Sequence, residues 1–209
     1  MPNWCNNNLT LTHEDPAMIQ RAYDALERGE FLSEFIPVPE DLQITAGRVG
    51  NDADAEQKAL EAQTKANVKK YGYGNWYDYC VGEWGTKWDV GADGTTDVHP
   101  DGKMLHTYFD SAWSPPINAY EKLVELGFGV EAMYYEGGMG YAGTFSNGAD
   151  EELNLEGMGA DEIEQNYPEL DEAFGISESM REYESMNEEE DLTEWLKDGI
   201  EQKKALVSL

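Results

Sequence analysis

Along residues 104–145 the apolar positions switch from a period of two to a helical period and back again. Leu105, Thr107 and Phe109 alternate with Met104, His106 and Tyr108. Alternation rich in aromatic and β-branched residues predicts a strand, and fairly apolar residues on both faces predict an interior one. Ser114 is the expected N-cap of the next element, with Pro115 at the first helical position, where its missing N–H costs nothing. Ile117, Tyr120 and Val124, widened by Leu123, form one apolar stripe, and Gly127 supplies the left-handed stop. Phe128, Val130, Ala132 and Tyr134 then alternate, Gly137-Gly138-Met139-Gly140 turns the chain, and Tyr141, Gly143 and Phe145 alternate once more. The stretch reads β-α-β-turn-β, an α+β pattern with the helix on one face of a sheet.

The first third carries a similar start. Asn3–His13 is the expected first strand, with Leu9 and Leu11 on one side. Asp15-Pro16 opens a helix, whose stripe is Met18, Ala22 and Ala25 with Ile19 and Leu26, and Gly29 closes it. Phe31–Leu42 contains two prolines and is expected as an extended arm on the core. Ala53–Lys70 is rich in helix formers but poor in large apolar side chains, which predicts an exposed helix within an insertion covering about residues 43–85. Tyr71–Val90 is the densest aromatic block, with Trp76, Trp84 and Trp88 among four tyrosines. Such a block either fills the core beneath the insertion with its polar tips facing a partner, or forms a stacking platform for a base or peptide.

Charge changes this picture most. The 209 residues include 43 acidic and 14 basic ones, a formal net charge of −29. Free nucleic acid and anionic membrane surfaces are therefore unsuitable ligands, since both require a basic footprint. Cationic protein surfaces are the natural partners, including the DNA-binding clefts of other proteins. The excess is concentrated from Asp150 to Leu209, where 20 acidic residues stand against 4 basic ones. Glu188, Glu189, Glu190 and Asp191 form the densest run. Asp191–Leu209 still carries Leu192, Trp195, Leu196 and Ile200, so an amphipathic helix is expected there, with Lys203 and Lys204 near its C-terminus. Residues 149–209 thus read as an acidic helical extension with anchors such as Ile163, Leu170 and Ile176.

Candidate chemistry is sparse. Two cysteines, Cys5 and Cys80, give no disulfide framework and suit a reducing cytoplasm. The opening MPNWCNNN has neither the basic nor the apolar part of a signal peptide, and no apolar run approaches a membrane span. His13, His99 and His106 are far apart and lack zinc spacing. Asp89-x-Gly91-x-Asp93-Gly94 has part of a calcium-loop pattern, but its twelfth position is Pro100, where a bidentate Glu is needed. The glycine-rich stretches lack the Lys-Ser/Thr of a phosphate loop. No catalytic residue, metal ligand or cofactor is indicated.

The opening MPNWCNNNLTL, the block NWYDYCVGEWGTKWDV, the stretch FDSAWSPP and the run YYEGGMGYAGTF together resemble the YubB ferredoxin-like family of phage and plasmid proteins. The resemblance covers most of Met1–Gly148. It implies a ferredoxin-like βαββαβ domain at residues 1–148, with helices on one face of an antiparallel sheet, and a mobile-element origin. It supplies no catalytic residues. In that layout the second strand is expected near Thr86–Val90.

The function expected from these features is a non-catalytic, acidic, cytoplasmic phage- or plasmid-type protein. It would bind and inhibit a host protein with a basic site, such as a restriction, CRISPR or other nucleic-acid-handling enzyme, with carboxylates standing in for DNA phosphates. The expected binding residues are Trp76, Trp84, Trp88, Glu188, Glu189, Glu190 and Asp191. Two alternatives remain open: a small-molecule or nucleotide binder using the Trp/Tyr block, and a carboxylate- and metal-dependent enzyme.

Overall fold

The computed structural model describes residues 3–49 and 54–186. The chain divides into two units, Met1–Leu155 and Glu156–Leu209. The first unit is an α+β arrangement around one six-stranded antiparallel sheet.

Strand β1 (Trp4–Thr12) lies at the centre, paired on one side with β3 (Met104–Ala112) and on the other with β4 (Gly129–Glu136). The register sets Leu9 opposite Thr107 and Ala132, and Leu11 opposite Leu105 and Val130. β2 (Asp97–Val98) borders β3, while β5 (Tyr141–Ser146) and β6 (Ala149–Asn154) extend the sheet beyond β4, giving the order β2-β3-β1-β4-β5-β6.

Helices α1 (Pro16–Arg28) and α5 (Ile117–Glu125) contribute to the core with the inward side chains of these strands. Asp15 caps α1 by accepting from Ala17 N–H, Pro16 takes the first turn and Gly29 ends it in the left-handed region at φ 69°. Ile19, Ala22, Ala25 and Leu26 are buried as the stripe predicts, as are Tyr120 and Leu123 on α5. With Leu9, Leu11, Leu105, Phe109, Val130 and Phe145 they make one continuous core. Asn7 sits within this face and is satisfied there. Its amide nitrogen donates to Cys5 O and Ser111 Oγ, and its Oδ1 accepts from Tyr120 O–H. A buried polar group paired this fully fixes register without the penalty of an orphan donor.

Four expectations are corrected. Thr86–Val90 is irregular, and the second strand is the two-residue β2 at Asp97–Val98. Thr86 Oγ1 donates instead to Ala112 O, which ties this segment across the end of β3. Ser114 does not cap α5. Its hydroxyl donates to Gly85 O, and the helix starts at Ile117 behind Pro116. Phe31–Leu42 is not extended. It holds the short helix α2 (Phe31–Phe35) and a 3-10 turn at Glu40–Leu42, because the Asp89 carboxylate accepts from Leu32 N–H and Ser33 N–H at the start of α2. Lastly, β3 is interior in the sheet but apolar-packed on one face only, since Met104 and Tyr108 are exposed.

The exposed helix is α3 (Asp54–Tyr71). It is anchored at its C-terminal end, where Asn67 donates to Asp41 O and Gly74 O, and where Lys70 and Tyr71 both reach the Asp41 carboxylate. Helix α4 (Trp76–Glu83) follows, capped by Asn75, whose Oδ1 accepts from Tyr77 N–H and Asp78 N–H. The loop after it closes on α1. A Cβ at Gly91 would lie 2.7 Å from Gly29 Cα and 2.9 Å from Leu26 O, both backbone atoms with no freedom to turn aside. Gly91→Ala is therefore expected to cost about 1–3 kcal/mol by overpacking, read as a lowered thermal midpoint. An unchanged midpoint would mean the loop sits farther from α1.

The second unit contains α6 (Ala160–Asn166) and α7 (Pro168–Phe174), and residues 176–186 are also helical. Ile163, Leu170 and Ile176 are buried. Asp171 accepts from Ser177 N–H and Oγ–H across the bend at Gly175. The expected helix at Asp191–Leu209 lies outside the described residues.

Candidate functional site

The aromatic block separates into parts with different environments. Trp84 is 4% exposed and its indole N–H donates to Ile36 O at 2.9 Å, so both its ring and its polar tip serve the core. Trp76, at the start of α4, is partly buried against the same core. Trp88 is 37% exposed, and its ring centroid lies 5.9 Å from that of Trp4, itself 46% exposed on the open face of β1. Of the three tryptophans expected in a binding site, Trp84 is buried, Trp76 is partly buried and Trp88 is exposed.

Trp88 belongs to a cluster assembled from four parts of the chain. The Lys87 ammonium stands 4.5 Å from the Trp88 ring, 5.0 Å from that of Trp113 and 5.9 Å from that of Tyr77, within cation–π range of all three. Trp113 adopts a left-handed backbone at φ 70°. It is held there by its own N–H donating to Asn3 O and by Tyr141 O–H donating to its carbonyl. Beside Trp4 and Trp88 runs a groove of about 370 Å³, lined also by Asp89, Asp93 and Asp110. Asp110 accepts from Asn6 Nδ2 at 2.7 Å, and Asp93 N–H donates to Tyr108 O at 2.7 Å, which fixes two of these walls to the sheet.

Trp4, Lys87, Trp113 and Asp110 were not among the residues singled out by sequence. One signal was available: Trp4 shares the period-two face of Asn6, Asn8 and Thr10, opposite Leu9 and Leu11, so an aromatic opens an otherwise polar face. That Ala112 pairs with Trp4 follows from the β1–β3 register and from nothing local.

The acidic side chains are distributed unevenly. Over residues 156–186 there are ten acidic residues and one basic one, Arg181. Arg181 is engaged by Asp161 at 2.9 Å and by Glu164, and these carboxylates raise its pKa. Glu162, Glu169, Glu172, Glu178, Glu182 and Glu184 are all exposed. In the first unit, β6 lies at the sheet edge and presents Asp150, Glu151 and Glu152 to the surface. Glu188, Glu189, Glu190 and Asp191 lie outside the described residues.

Both thiols are free and buried. Burial pushes Cys5 and Cys80 up to about 12 from the ordinary value of 9.0, so neither is a ready nucleophile. At pH 8 a thiol reagent is expected to find no reactive cysteine until the chain is unfolded; prompt reaction in the native state would contradict this burial. The folded state holds its thiol protons more tightly than the unfolded one. The associated stability is therefore complete below pH 9 and is lost as pH rises towards 12.

The histidines are dispersed: His13 packs on Phe128, His99 contacts Asp101 at 2.9 Å, and His106 bonds Thr10 Oγ1 at 3.1 Å. Among the described residues no three His, Cys, Asp or Glu side chains are grouped to hold a metal ion, and no helix is long and apolar enough to cross a membrane.

The described residues define an α+β protein with a one-faced antiparallel sheet, an exposed aromatic cluster beside carboxylates, and an acidic helical second unit. No protein-family model matches the chain, and no curated protein matches it. Among solved structures it is similar to the crystal structure of protein api92 from Yersinia pseudotuberculosis, of the family DUF1281. The identity is 12% and the TM-score 0.42, over 74% of this chain and 98% of that one.

Proposed function

We propose that this chain is a non-catalytic binding protein that engages and blocks a cationic surface on a host nucleic-acid-handling protein, its carboxylates standing where DNA phosphates would stand. The observation that carries the reading is the charge and its placement. A net −29 is joined to a largely helical stretch, residues 156–186, with ten acidic residues and one basic one, Arg181. Uncompensated like charge repels itself within the folded chain, and a cationic partner relieves that repulsion.

The scaffold in this reading is a ferredoxin-like domain of the YubB kind, and the setting is a phage or plasmid acting in the host cytoplasm. The succession β1, α1, β2, β3, α5, β4 with neighbours β2-β3-β1-β4 supports a βαββαβ core, to which β5 and β6 add a hairpin. Two free thiols suit a reducing compartment.

A nucleotide or other phosphorylated small molecule is the weaker reading. Trp84 spends its indole N–H inside the core, and the groove beside Trp88 is walled by three aspartates that repel phosphate.

The test is capture from a bacterial lysate on the immobilised chain at low salt, followed by elution with duplex DNA. Release of the retained proteins by DNA is expected, because both ligands would compete for one basic site. Retention that DNA leaves untouched would overturn the mimicry.

A further inference from the structure

We propose that the groove between Trp4 and Trp88 receives an arginine side chain of the cationic partner; this rests on the partner being a basic protein surface. The groove is lined by Trp4, Trp88, Asp89, Asp93 and Asp110 with the small residues Val90 to Ala92, and among the described residues no lysine or arginine lines it. Its two rings are exposed at 46% and 37%, yet they are held in place. Trp4 is the first residue of β1 and is paired there with Ala112 of β3, and Trp88 is braced by the Lys87 ammonium at 4.5 Å. Rigid exposed aromatics of this kind are surfaces for contact at little entropic cost.

The ligand class follows from what surrounds the rings. Carboxylates beside an indole face select a cation that is both flat and a multiple donor. A guanidinium stacks on the ring and hydrogen-bonds a carboxylate at its edge, which an ammonium does less well. Asp110 keeps acceptor capacity beyond its one bond from Asn6, and Asp93 is exposed at the rim. Asp89 contributes charge rather than contact, because its oxygens already accept from Leu32, Ser33 and Val90 N–H. The Lys87 ammonium, which is not part of the groove lining, already lies within cation–π range of Trp88, Trp113 and Tyr77, so Trp4 is the stacking surface left for a guest.

The experiment titrates the full chain with an oligo-arginine peptide and an oligo-lysine peptide of equal length at low salt, following tryptophan fluorescence and affinity. The wild-type chain is expected to bind oligo-arginine more tightly. Trp4→Ala should lose about tenfold in affinity for it, equivalent to about 1.4 kcal/mol, and should lose the preference over lysine. Asp93→Asn and Asp110→Asn, which keep the shape of the groove, should each weaken oligo-arginine binding with circular dichroism unchanged. Tight binding of both peptides with no difference between them, unaltered in all three variants, would overturn the groove while leaving the cationic-partner reading intact. Failure of the wild-type chain to bind either peptide at low salt would overturn both.

Discussion

Phe109→Ala is expected to destabilise the first unit by about 3–5 kcal/mol, whereas Tyr108→Ala, one residue away, should change stability by no more than about 0.5 kcal/mol. Phe109 is 1% exposed and lies in the core beneath α1 and α5, while Tyr108 is 45% exposed on the opposite face. For a chain of this size the first change lowers the thermal midpoint by roughly 2–4 °C per kcal/mol. Equal losses for the two variants would mean that both sheet faces are packed, and the one-faced arrangement would fall.

The second large effect concerns charge. Changing Glu162, Glu169, Glu172, Glu178, Glu182 and Glu184 together to Gln should weaken binding to the captured partner at low salt by at least about tenfold. These side chains are exposed and none bonds Arg181, so circular dichroism should be unaltered. A companion variant neutralises Glu188, Glu189, Glu190 and Asp191. Undiminished affinity in both variants would remove the second unit from the interface.

Much of the scaffold was legible because its signals are local. Asp15, Pro16 and Gly29 frame α1 through bonds within a few residues of each other. The alternation over Met104–Phe109 correctly gave the strand β3, though not which of its faces is buried, and the four residues from Gly137 to Gly140 turn β4 into β5. There Glu136, itself buried, accepts from Gly138 and Met139 N–H.

What was missed depends on contacts distant in sequence. Trp84, Thr86 and Trp88 alternate like a strand, but Trp84 and Thr86 are held by Ile36 O and Ala112 O, so tertiary bonds override the pattern. β2 is two exposed residues long, too short for any period to register. β6 reads ADEELN and is exposed at nearly every position, so it offers no alternation between buried and solvated residues. Ser114 has the right identity for a cap, but the helix begins only at Ile117 behind Pro116, and the Ser114 hydroxyl donates to Gly85 O.

The candidate site shows the same division. Composition alone pointed to a cationic partner, and Trp88 was named from the aromatic block. Apart from the period-two signal at Trp4, its neighbours could not be, because Trp4, Lys87, Trp113 and Asp110 meet only once β1 pairs with β3 and the loop after α4 folds across the end of that pair. Trp76 and Trp84 were equally aromatic in the sequence, and only burial distinguishes them from Trp88.

The most direct measurement is the dissociation constant of the chain for its DNA-displaceable partner as salt is raised. Screening shortens from roughly 10 Å at 0.1 M to about 3 Å at 1 M. If carboxylates on this surface replace phosphates in a basic cleft, the affinity will fall steeply and continuously across that range. An affinity that holds constant from low to high salt would contradict electrostatic mimicry as the basis of binding.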